Sequence, residues 1–88
     1  MTVEARRTVG AYLFTQSGVN ERLNSVAREE LNRRGITYKE LDLTGLELDE
    51  DWQSLPVIDS KAGFAGGFED PGAIQEHVSF IKSLMYQI

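Results

Sequence analysis

Chemistry in this chain has few places to reside, and the densest is Leu55-Pro56-Val57-Ile58 followed by Gly66-Gly67-Phe68-Glu69-Asp70. A glycine pair just ahead of a helix start lets backbone N–H groups face an anion, and the helix dipole favours that negative charge. Asp70-Pro71 predicts the helix start itself, because Asp caps free N–H groups and proline at the first helical position gives up a donor that would have had no partner. The same residues read equally well as a plain turn and cap. Ser17, in the polar stretch Thr15-Gln16-Ser17-Gly18, offers a hydroxyl able to stabilise developing negative charge, or simply a loop hydroxyl. His77 is the one histidine and has no second histidine at metal-binding spacing, so it reads as a partly buried or surface side chain. Glu47, Asp49, Glu50 and Asp51 lack the glycine and spacing of an EF-hand loop and read as a solvated run.

Composition removes several classes of function. The 88 residues include no cysteine, which excludes disulfides, thiolate metal sites and a cysteine nucleophile. A net charge of -5 argues against nucleic acid, whose phosphates are bound by clustered Lys and Arg; Arg22, Arg28, Arg33 and Arg34 form no neat stripe. Hydrophobic content of 41% and charged content of 26% are those of an ordinary globular chain, with no apolar run of about 18 residues to cross a bilayer. Arg6 and Arg7 precede too short an apolar stretch for a secretory signal. A cytoplasmic address is therefore the default expectation.

The elements that must position these residues follow in order. Residues 1–7 are polar and predict a flexible lead-in to a single domain over 8–88. The continuous apolar run over 9–14 predicts a central strand buried on both faces. Leu23, Val26, Ala27 and Leu31 recur at spacings of three and four and predict a helix that Gly35 stops. Ile36, Tyr38, Leu41 and Leu43 predict a second strand over 36–43, parallel to the first through a right-handed crossover. Leu48 and Trp52 predict a short helix over 46–53. Leu55, forced toward extended geometry by the following proline, leads into a strand that begins at Pro56 or Val57. Asp59-Ser60-Lys61 predicts a hairpin turn, and 62–65 its return strand. Ile74, Val78, Ile81 and Met85 predict a final helix over about 71–84.

Leu55-Pro56-Val57-Ile58, followed by Gly66-Gly67-Phe68-Glu69-Asp70 at the last helix, resembles the C-terminal half of a glutaredoxin. The element order over residues 8–80 resembles the minimal thioredoxin fold. The resemblance implies an α/β, thioredoxin-like (glutaredoxin-type) domain, β-α-β-(short α)-β-β-α, with a four-stranded mixed sheet flanked by helices. It also implies a cis peptide at Leu55-Pro56 and antiparallel backbone pairing of Leu55 with a glutathione or peptide ligand. The glutathione γ-glutamyl carboxylate would meet the N–H groups of Gly67 and Phe68, and its amino group the Asp70 carboxylate.

In that family the first strand runs into a C-x-x-C motif whose first cysteine, at a helix N-terminus, is the attacking thiolate. Here, counting forward from Phe14 puts Val19 and Arg22 at the two cysteine positions; counting back from Leu31 and Gly35 puts Glu21 and Asn24 there. Neither register supplies a thiol, and Gln16 stands where the family commonly has a lysine for a glutathione carboxylate. The expectation is a redox-inactive binding or interaction module, not a thiol-disulfide oxidoreductase. It would need no cofactor, keep a cleft for glutathione or a similar peptide, engage a protein partner, and act as a monomer or homodimer. One alternative is a transferase-like, glutathione-using enzyme in which Ser17 holds the ligand's thiolate, although 88 residues leave no room for the helical domain such enzymes add. The other is a structural adaptor that dimerises through a sheet edge.

Overall fold

The computed structural model describes residues 9–47 and 55–85. The lead-in expected at 1–7 lies outside them, as does the short helix expected over 46–53, apart from Leu46 and Glu47. Leu46 sits in a turn, its N–H donating to the Leu43 carbonyl at 3.1 Å.

The chain is α/β. Strand β1 (Ala11–Thr15) is followed by helix α1 (Glu21–Arg33), then β2 (Tyr38–Asp42), β3 (Val57–Ser60), β4 (Gly63–Ala65) and helix α2 (Pro71–Met85). The sheet is mixed, in the order β2-β1-β3-β4. β1 and β2 run parallel, with Leu13 opposite Glu40, while β3 lies antiparallel to both β1 and β4, with Ile58 opposite Leu13 and Ala65. These directions bring the ends of β1, β2 and β4 and the start of β3 to one end of the sheet, and both helices begin there.

One face of the sheet carries the core. Ala11 and Leu13 of β1 and Ile58 of β3 pack with Ala27 and Leu31 of α1, with Ile36, and with Ile74, Val78 and Ile81 of α2. The stripes read from α1 and α2 are the faces that meet, except that Met85, at the helix end, is exposed. The expectation that β1 is buried on both faces is corrected: Tyr12 is 41% exposed, because α1 and α2 cover the same face. The hairpin turn also moves from the expected Asp59-Ser60-Lys61 to Lys61-Ala62. Asp59 and Ser60 stay in β3, the Ser60 Oγ accepts the Ala62 N–H at 3.1 Å, and Gly63, at φ +100°, takes the left-handed position.

α1 ends in a Schellman motif. Gly35, at φ +72°, donates to the Asn32 carbonyl at 3.0 Å, and Ile36 to the Leu31 carbonyl at 2.9 Å. On its flank Arg28 forks onto Glu40 of β2 with two bonds of 2.8 Å. Glu40 also accepts from the Thr15 hydroxyl at 2.9 Å. This clamp ties α1, β1 and β2 together beside the loop that leaves β1.

Glu40 and the buried Glu30 set the acid response. The Arg28 fork, with help from Thr15, holds Glu40 below the ordinary carboxylate range against the opposing effect of burial. Arg33, at 2.7 Å, and Arg34, at 3.1 Å, do the same for Glu30. Both folded values are depressed, so their stabilisation is complete above the unfolded value of about 4.3 and is lost as pH falls through the folded values. Urea unfolding is expected to show stability declining below that pH, with a shallower decline in Glu30→Gln and Glu40→Gln; an unchanged slope in both variants would contradict this assignment.

Candidate functional site

The loop between β1 and α1 is held shut by its own residues. Val19 N–H donates to the Gln16 carbonyl at 3.0 Å, and the Glu21 carboxylate turns back to accept the Gly18 N–H at 2.6 Å. Gln16 is half-buried and Ser17 exposed. The Ser17 N–H is fixed at 2.9 Å by the Thr44 hydroxyl. Asp42 in turn accepts from the Thr44 hydroxyl and, at 2.9 Å, from its N–H, and these bonds hold the Asp42 carboxyl below its ordinary value.

Asn20, immediately before α1, adopts φ 51°, ψ 49° and makes no side-chain cap to the helix. Asparagine tolerates this left-handed geometry better than most residues. Its Nδ2 instead donates to the Leu55 carbonyl at 2.7 Å. One turn into α1, Asn24 is 1% exposed; its Nδ2 donates to the Val19 carbonyl at 3.0 Å, and its Oδ1 is buried without a partner. Leu55 and Pro56 are buried, and the peptide between them is cis. Of the Leu55 backbone, which the resemblance assigns to ligand pairing, the carbonyl is thus already met from within the chain.

Gly67, Phe68 and Asp70 lie around a different feature, a pocket of about 520 Å³ at the start of α2 that is also lined by Glu69, Ala73, Glu76, His77 and Phe80. Gly67 takes φ +69° in the turn that forms its lip. Asp70 is the cap that its sequence context predicts, with Oδ1 accepting the Ala73 N–H at 2.9 Å. The Phe68 and His77 rings meet at 5.6 Å between centroids. His77 Nε2 is buried without a partner, and burial pushes the imidazole below its ordinary value, so the ring is neutral near pH 7.

Gln16 and Ser17 lie in the β1–α1 loop and Leu55 and Pro56 just ahead of β3, joined by the Asn20–Leu55 bond, while Gly67, Phe68 and Asp70 line the α2 pocket. Three residues of consequence were not singled out from sequence. Asn20 and Asn24 act through contacts that local pattern does not encode, although asparagine beside a helix start is itself a signal for unusual backbone geometry. Phe80 stands one position outside the apolar stripe of α2, and nothing in the local pattern singled it out.

The α2 start spends a donor on the chain's own Asp70 carboxylate, and the loop ahead of α1 spends the Gly18 N–H on Glu21. The α2 pocket adds Glu69 and Glu76 and has no Lys or Arg among its lining residues, a poor environment for an anion. Among the described residues no group of three or more His, Asp or Glu is placed to hold a metal ion, and no helix is long and apolar enough to cross a membrane. Comparison of the chain with protein-family models, with curated proteins and with solved structures finds no match.

Proposed function

We propose that the chain is a redox-inactive recognition domain of the thioredoxin-like, glutaredoxin-type fold that binds a peptide segment at the sheet end where both helices begin. The strand order β2-β1-β3-β4, with β1 and β2 parallel and β3 antiparallel, fits that architecture. The observation that carries the reading is what stands at the head of α1. The resemblance offers Val19 or Glu21 for an attacking sulfur, and between them stands Asn20, whose amide bonds to the Leu55 carbonyl at 2.7 Å. None of Val19, Asn20 and Glu21 can form a mixed disulfide, which supports recognition rather than thiol exchange as the role of this end of the sheet.

A peptide suits this surface better than glutathione. Glutathione carries a net negative charge, and its carboxylates would approach Glu69, Asp70 and Glu76 at a helix start already capped from within. The test is a disulfide-reduction assay with reduced glutathione as electron donor, run beside a calorimetric titration of the same ligand. The expected rate equals the protein-free blank, with no heat at millimolar glutathione. Turnover above the blank overturns the redox-inactive reading, and heat that disappears in Asp70→Ala overturns the preference for a peptide.

A further inference from the structure

We infer that the pocket at the start of α2 receives an organic cation on an aliphatic stem, the chemistry of an arginine or lysine side chain in a basic peptide segment. The pocket, about 520 Å³ and widely open to solvent, suits a side chain laid along the surface rather than an enclosed ligand. Its walls and rim divide by chemistry. Phe68, His77 and Phe80 supply rings, while Glu69, Asp70 and Glu76 supply carboxylates. Rings beside carboxylates suit a cation, because a phenyl face attracts positive charge and also covers the apolar stem behind it.

Spacing on α2 produces this division. Ala73 and His77 are four apart, as are Glu76 and Phe80, so the four form adjoining rows on one helical surface. Ala73 is small enough to leave the floor open. Phe80 is 53% exposed although it is a large apolar side chain, and a ligand stem laid across the pocket would cover it. His77 meets Phe68 at a tilt, with 5.6 Å between ring centres, and, kept neutral by its burial, places no competing charge in the lining.

The helix dipole works against a cation with about half a unit of positive charge at the α2 start. Asp70 already offsets part of it by accepting the Ala73 N–H, and Glu69 and Glu76 leave the balance negative. The chain's net charge of -5 adds long-range attraction for a basic partner.

The inference deepens the proposed recognition role and rests on it for the ligand's being a peptide. The two fail separately, since disulfide turnover would remove the redox-inactive reading without altering measured cation binding. The probe is N-acetyl-arginine amide, with N-acetyl-citrulline amide as the uncharged analogue of the same shape, titrated into the full chain at low salt and followed by NMR. Saturable shifts are expected at Ala73, His77 and Phe80 in the millimolar range, at least about fivefold weaker with citrulline, and weakened further by added salt. Glu69→Gln and Glu76→Gln, both exposed positions, are each expected to reduce affinity by about two- to fivefold, with the shifts of the buried Ile81 unchanged as a check on folding. Equal binding of citrulline, or no saturable shift below about 100 mM arginine amide, overturns the assignment.

Discussion

Ile58→Ala is expected to lower the free energy of unfolding by about 2–5 kcal/mol. Ile58 has no exposed surface and lies on β3 between Leu13 and Ala65, under both helices. Truncation removes apolar burial and leaves a cavity that the strands on either side, fixed by their hydrogen bonds, can close only in part. A chain of 88 residues has in total about 4–13 kcal/mol of stability at typical values per residue, so one core truncation consumes a large share. Urea denaturation checks it: the midpoint should fall while the slope stays constant. Ile58→Val, which keeps most of the volume, should cost only about 0.5–1.5 kcal/mol. If the alanine variant lost no more than the valine variant, β3 would not be the centre of the core.

The second large effect is expected at Asn20. Asn20→Ala combines two losses: the donor to the Leu55 carbonyl, worth about 1 kcal/mol or somewhat more because Leu55 is buried, and left-handed backbone, which costs alanine about 1 kcal/mol or more. Together they predict about 2–3 kcal/mol. Asn20→Gly keeps the left-handed geometry without strain and loses only the bond, so it should cost about half as much. The order Ala worse than Gly is the diagnostic result, measured by thermal or urea unfolding. Backbone amide exchange over 17–20 should rise in both variants, since the β1–α1 loop loses its link to the start of β3. Equal stability of the two variants would mean that the backbone conformation at Asn20 contributes nothing.

What the sequence disclosed tracks the range of the interaction concerned. Apolar spacing in α1 and α2, the Gly35 stop and the Asp70-Pro71 start are local, and each element lies where those residues placed it to within a residue or two. The parallel pairing of β1 and β2 was legible because two strand signals separated by one helical segment leave few arrangements, whereas the full four-stranded mixed sheet followed from the resemblance. The side of β1 left uncovered was not, since residues 9–14 form an unbroken apolar run with no alternation to reveal it, and only the placement of both helices on one face exposes Tyr12. At the candidate site, the Asp70 cap was legible for the same local reason. The bond from Asn20 to Leu55 spans 35 residues and leaves no periodic trace. The α2 pocket depends on Phe68 being brought onto His77, two residues read separately in the sequence, where nothing pairs them.

The outer strands of the sheet govern how molecules of this protein meet in concentrated solution. β2 is exposed along most of its length and carries Lys39, Glu40 and Asp42, while β4 has three residues and begins with glycine. A neighbouring chain adding itself to β2 would have to desolvate those charges, and on β4 it would find too few backbone groups to gain a register. Edge-to-edge stacking is therefore opposed at both margins of the sheet among the described residues.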